Sequence, residues 1–194
     1  DTAATNYNPL ANVDDGSCAY PVTCVATAPY TESFSSGILP VGTCTGGWAS
    51  SVVSGDGWRF TGNPGYNATS NGRASGTYAW VDFSGVDAGA ILKVEDIDIS
   101  GLTTPTLGFD YFSDLGTYTL SSYNILYVEA WDGTSWGSID TLQLNVPGWN
   151  SYFYPLSNYT FSTNIVRVRF RAESGGETFD FYNDLLLDLS LIHI

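Results

Sequence analysis

The chain has no methionine, one histidine and one lysine, and Lys and Arg together number six against 20 Asp and Glu. The net charge of −14 argues against polyanionic partners, because nucleic acid and an anionic membrane surface would both be repelled. The only histidine is His193, next to the end, so a Ser/His/Asp or Cys/His arrangement lacks its base and a zinc site lacks ligands. No glycine-rich phosphate loop follows a strand-like run. No apolar stretch is long enough to span a bilayer, and the opening "DTAATNYN" is not a signal peptide. The missing Met points to a mature or excised part of a longer chain. Charged residues are only 13%, about half the usual share, and no segment carries the 3.6-residue period of an amphipathic helix.

What fills the chain instead is Gly (21 residues), Ser, Thr, Asn and aromatics at 15%, a mix suited to twisted sheets and tight turns. Short runs of strand character alternate with turn signals. "TYAWVDF", "ILKVEDIDI", "TLGFDYFS", "NILYVEAW", "SIDTLQLNV", "YFYPL", "IVRVRFRAE" and "DLLLDLSLI" read as strands; "SGVDAG", "SGLTTP", "WDGTSW", "VPGWN" and "ESGGE" read as turns. Strands at this spacing predict an all-β fold, an antiparallel β-sandwich of the jelly-roll kind. In "NIVRVRFRAE" the alternation places Val166, Val168 and Phe170 on one face and Arg167, Arg169 and Arg171 on the other. That basic face either balances neighbouring acids or lines a cleft for a carboxylate or acidic sugar.

Residues 1–24 differ from the rest. "NYNPLANVDDGSC" crowds oxygen donors, with carbonyls on Asn8 and Asn12 and carboxylates on Asp14 and Asp15, ahead of the turn-forming Gly16. Calcium takes six to eight oxygens from loops of this chemistry, although no Glu closes the segment as in an EF-hand. A solvated Asn-Pro and Asp-Gly turn explains the same residues. Cys18, Cys24 and Cys44 gather in the first quarter, as stapling cysteines do in an oxidising, extracellular compartment. One disulfide fits, and one thiol is left over.

"ATNYNPLANVDDGSCAYP" resembles a thrombospondin type 3-like repeat of secreted Bacteroidetes proteins, which implies calcium on Asn8, Asn12, Asp14 and Asp15. That family carries a further upstream Cys, which would account for the odd count. The remainder, residues 25–194 as a second domain, resembles the MAM-like and cleaved-adhesin jelly rolls of gingipain haemagglutinin regions. The resemblance is carried by "ESFSSGILPVG" with Trp48, "GDGWRFTGNPGYNATSNGRASGTYAW", "DISGLTTPTLGFDYF" and the closing "NDLLLDLSLI". It implies a structural calcium between the opening and closing strands, held by Glu32 and Asp188 with Asp82 as a weaker third. Leu189 stands where the family has a second Asp. On chemistry alone, a carboxylate flanked by Leu187 and Leu189 must be paired, bind a metal or point to solvent.

Trp48, Trp58, Trp136 and Trp149 are expected in the core. Trp80 and Trp131 are candidate ligand-stacking rings, and Tyr66, Tyr118 and Tyr123, in Gly/Ser-rich turns, are secondary candidates. "SDLGTYTLSSYN" is the longest polar connection in the second domain, and loops carry function. Glu129 and Glu173 could in principle form a glycosidase carboxylate pair. The expectation is nevertheless a non-catalytic, calcium-stabilised adhesion or ligand-binding module of a secreted or cell-surface protein. Its partners would be a surface glycan or extracellular protein and neighbouring modules. A spacer or filament subunit is the alternative.

Overall fold

The computed structural model describes residues 25–43, 47–70, 73, 77–85 and 87–193, with side chains as far as 188. The thrombospondin-like repeat and Cys18, Cys24 and Cys44 lie outside the described residues, as do the proposed ligands Asn8, Asn12, Asp14 and Asp15.

Fourteen strands form the fold: β1 (Val25–Thr27), β2 (Tyr30–Glu32), β3 (Ala49–Ser51), β4 (Ala79–Val81), β5 (Ala90–Lys93), β6 (Asp96–Asp98), β7 (Thr106–Phe112), β8 (Ile125–Trp131), β9 (Trp136–Leu142), β10 (Trp149–Pro155), β11 (Thr160–Ser162), β12 (Ile165–Val166), β13 (Val168–Glu173) and β14 (Leu185–His193). Among the described residues the only helical turns are two 3-10 segments, Tyr66–Ser70 and Asp180–Tyr182. One five-stranded sheet runs β3-β5-β13-β8-β9, and a second runs β10-β7-β14-β2 with β4 also on β14. A smaller sheet, β1-β6-β12-β11, sits beside them. The protein is an all-β sandwich of the jelly-roll kind. One pair departs from the antiparallel expectation: β1 runs parallel to β6, with Val25 opposite Asp96.

The predicted alternation builds the core. Val168, Phe170 and Ala172 of β13 are buried against Leu107, Phe109 and Tyr111 of β7 and against Leu185 and Leu187 of β14. Phe109 meets Phe170 edge-on at 5.0 Å between the two sheets. Two predicted strands each break in two because the chain changes sheets within them. "ILKVEDIDI" becomes β5 and β6, and "IVRVRFRAE" becomes β12 and β13.

β14 is the spine of its sheet, paired with β7 on one side and with β4 and then β2 on the other. Leu185, Leu186 and Leu187 are all fully buried. A run that is apolar on successive residues needs cover on both faces of the strand. The second cover is a small cluster of Ala68, Tyr78, Trp80, Phe112 and Leu186, with Trp149 packed against it. Trp80 belongs there. It is 3% exposed and its Nε1 donates to the Thr61 carbonyl at 2.9 Å, so it is a core residue and not the stacking ring the sequence led us to expect. Replacing Trp80 with Ala should cost about 3–5 kcal/mol, read from urea unfolding. Trp131→Ala, at a partly exposed position, should cost clearly less; equal losses would contradict this placement.

Candidate functional site

Five aromatic rings meet at one end of the sandwich. Tyr66 comes from the first 3-10 turn, Tyr118 from the connection between β7 and β8, and Phe179, Phe181 and Tyr182 from the connection between β13 and β14. Tyr182 stacks on Tyr118 (centroids 4.3 Å apart, planes at 18°) and on Phe179 (5.7 Å, 15°). Tyr118 and Phe179 do not touch each other, so the three form a column with Tyr182 in the middle. Tyr66 stands edge-on to both Tyr118 (5.4 Å, 85°) and Tyr182 (4.8 Å, 83°). Phe181 is edge-on to Phe179 at 84°. Each such contact adds about 0.5–1.5 kcal/mol beyond area burial. The cluster nonetheless stays open to solvent: Tyr66 is 45%, Tyr118 38% and Phe179 50% exposed.

The loops that carry these rings are fixed from below by buried amides. Asn124, fully buried, donates from Nδ2 to the carbonyls of Asp180 and Asn183, both at 2.9 Å, and accepts at Oδ1 from the Gly175 N–H at 2.8 Å. Its backbone N–H donates to Asn183 Oδ1 at 2.9 Å, and Asn183 Nδ2 donates to the Ser113 carbonyl at 3.1 Å. One hub therefore ties the starts of β8 and β14 to the chain leaving β7 and β13. Gly175 must be glycine, since a Cβ there would lie 2.6 Å from the Tyr123 carbonyl. Gly116 sits at φ +59° with the Asn67 amide where its Cβ would be; Asn67 in turn donates to the Asp114 carbonyl at 3.0 Å. Tyr66 adopts φ +51°, a conformation that strains a bulky residue and is held by the packing around it.

Asp184, 3% exposed, supports Tyr66 through its neighbour. Its Oδ2 accepts from the Gly65 N–H at 2.7 Å and its Oδ1 from the Phe83 N–H at 3.2 Å. Burial pushes its carboxyl up to about 6, against the opposing pull of those two N–H groups. A raised folded value means that the native state holds its proton longer than the unfolded chain does. This group therefore favours folding below about pH 4, and that advantage is lost as pH rises towards 6, by on the order of 2–3 kcal/mol. Carboxyl 13C titration of Asp184 should show a midpoint near 6; a midpoint in the ordinary carboxylate range would contradict the burial argument.

Of the residues singled out from sequence, Tyr66 and Tyr118 are brought together here. Tyr123 is not among the rings; its carbonyl accepts from Gln143 Nε2 at 2.9 Å. Trp131 lies on the outer face of the β3-to-β9 sheet, 5.5 Å from Trp136 across the β8–β9 hairpin. Trp136 is thus partly exposed on that face, not in the core as expected, whereas Trp48 and Trp58 are buried in the core. On this outer face guanidiniums already occupy the ring surfaces: Arg169 lies 4.2 Å over Trp136 and Arg171 3.8 Å over Tyr127. Phe179, Phe181 and Tyr182 were missed. Three aromatics within "TFDFY", inside a polar connection, were the available signal.

The strand-end calcium expectation meets a different arrangement. Arg73 bridges Asp188 to Asp110, Asp82 pairs with Arg59 at 2.8 Å, and Glu32 Oε1 accepts from the Phe34 N–H at 2.7 Å. Guanidiniums thus pair with Asp82 and Asp188, and among the described residues no three acidic, His or Cys side chains are grouped to hold a metal. The basic face is likewise spent: Arg167 pairs with Asp96 at 2.6 Å, Arg169 with Glu129 at 2.6 Å, and Arg171 with Glu129 and Glu173. Burial alone would raise the Glu129 carboxyl, but the two guanidiniums outweigh it and hold it below the usual range. A carboxylate held charged in this way cannot keep a proton for general acid catalysis, and Glu173 shares the same Arg171.

The fold is shared with the K2 cleaved adhesin domain of Lys-gingipain (TM-score 0.54, 13% identity, covering 85% of this chain and 99% of that one). Also similar are the CBM22-2 xylan-binding domain from Paenibacillus barcinonensis Xyn10C (0.49, 15%, 86% and 99%) and TmCBM61 solved with β-1,4-galactotriose (0.49, 12%, 84% and 94%). No family model matches the chain, and the comparison with curated proteins finds no match.

Proposed function

We propose that this chain is a non-catalytic adhesion or ligand-binding module of a secreted or cell-surface protein, and that the aromatic cap at the end of the sandwich is its contact surface. The observation that carries the reading is the combination of exposed rings with rigid support. Tyr66, Tyr118 and Phe179 are more than a third exposed, on loops pinned by the buried Asn124–Asn183 hub. Rigid amphipathic rings give contact area at low entropic cost, and ordered loops lose little on binding. The partner is a surface glycan or an extracellular protein.

Calcium belongs to this reading only at the N-terminal loop. Asn8, Asn12, Asp14 and Asp15 would hold the ion there and stiffen the junction with a preceding module; the support is their oxygen chemistry. Recognition at the cap needs no metal, since the cap's carboxylates are engaged by protein N–H and O–H groups.

An array of glycans and matrix proteins, probed with calcium and again after chelation, tests both parts. Capture should survive chelation and fall at least about tenfold, some 1.4 kcal/mol, when Tyr118 and Phe179 are both changed to Ala. The Asp14→Ala, Asp15→Ala double variant should lose one calcium equivalent by calorimetry while keeping capture. Capture indifferent to the ring substitutions would contradict the cap as the contact surface. Unchanged calcium stoichiometry would contradict the loop site. A blank array with folded protein would favour a spacer role.

A further inference from the structure

Resting on the reading of the cap as the contact surface, we infer the chemical class of its ligand: an uncharged oligosaccharide, with pyranose rings laid on the exposed rings of Tyr118 and Phe179 at the two ends of the aromatic column.

The first argument is electrostatic. The segments that build the cap, residues 65–70, 113–124 and 174–184, contain no Lys or Arg. The six cations of the chain are all committed elsewhere: Arg59 to Asp56 and Asp82, Arg73 to Asp110 and Asp188, Lys93 and Arg167 to Asp96, and Arg169 and Arg171 to Glu129. A uronate, sialate or sulfate would approach a protein of net charge −14 and meet no compensating group.

The second argument concerns cations, which such a field attracts and which aromatic faces bind well. The cap does carry acids, but each is already engaged. Asp114 accepts from the N–H groups of Gly116 (2.7 Å) and Gly148 (2.9 Å). Asp180 accepts from the Glu177 N–H at 2.9 Å and from the Ser174 hydroxyl. Asp184 is buried beneath Gly65, and Glu177 accepts from the Ser121 hydroxyl. A cage for a cation also needs rings standing apart around an empty centre. Here the rings fill one another's space, with Tyr182 sandwiched at 4.3 Å and 5.7 Å.

What the rings themselves offer a ligand is neutral: ring faces and phenol hydroxyls. Among the described residues no protein group hydrogen-bonds the hydroxyl of Tyr66, Tyr118 or Tyr182, so these can donate to or accept from sugar hydroxyls. The apolar face of a pyranose matches a ring of this size, and its equatorial hydroxyls reach the phenols at the rim.

Calorimetry with cellohexaose, xylohexaose and mannohexaose, against hexagalacturonate and a protonated glucosamine hexamer, tests the class. At least one neutral hexaose should bind with an affinity that changes less than about twofold between about 50 and 500 mM salt. Tyr118→Ala and Phe179→Ala should each weaken it about tenfold. Phe153→Ala, at an exposed ring on β10 far from the cap, should leave it unchanged, and circular dichroism confirms the fold of each variant. Binding of only a charged hexamer, falling with salt and lost in the ring variants, would overturn the uncharged class while keeping the cap. Sugars that all fail while a protein partner is captured through the same rings would do likewise. Neutral binding indifferent to Tyr118→Ala and Phe179→Ala would overturn the cap itself. No binding of any probe at millimolar concentration would overturn the proposal.

Discussion

The aromatic end of the sandwich depends on the side chain of Asn124. A fully buried amide is tolerated only when its donors and acceptor are all used, because each unsatisfied group costs about 1–3 kcal/mol. Asn124, at the end of the connection between β7 and β8, meets that requirement with three partners on the connection between β13 and β14: the Asp180 and Asn183 carbonyls and the Gly175 N–H. The same demand that forces these bonds to form also fixes the connections between β7 and β8 and between β13 and β14. The rings on those connections inherit one geometry and little freedom to collapse into the core.

The charge pattern follows a similar economy. With 20 acids and six bases, each base pairs with at least one acid, and several are shared: Arg73 bridges two carboxylates, and Glu129 takes two guanidiniums. Arg73 also lies 3.7 Å over Trp149, closing the outer side of the sheet whose spine is β14. These pairs account for the basic residues without a ligand, and the cap, whose segments contain no base, stands apart from them. Exposed ion pairs contribute little stability individually. The buried Glu129 carboxylate is different, because removing both arginines would leave a charge without compensation.

Much of the fold was legible in the sequence, and the reasons are local. Alternation in "IVRVRFRAE" gave both faces of β13 correctly, because a period of two is a direct record of which side is buried. Trp80 misled because its burial is made by packing with Ala68, Tyr78, Phe112 and Leu186, a long-range cluster with no periodic trace. The expectation for Glu32, Asp82 and Asp188 comes from the family resemblance; the arginines that pair with Asp82 and Asp188, Arg59 and Arg73, approach from distant positions in the chain. Turn context points to Tyr66 and Tyr118 separately. Their contact across 52 residues, and the arrival of Phe179, Phe181 and Tyr182, exist only once the sandwich has closed.

The central claim is that ligand contact occurs at the aromatic cap and not on the sheet face where Tyr127, Trp131 and Trp136 lie beside or beneath arginines. Proton–carbon aromatic NMR spectra recorded while a captured ligand is titrated in would test it most directly. The account predicts shifts confined to Tyr66, Tyr118, Phe179, Phe181 and Tyr182, with the resonances of Tyr127, Trp131 and Trp136 unmoved. Shifts centred on those three sheet-face rings, with the cap silent, would contradict it.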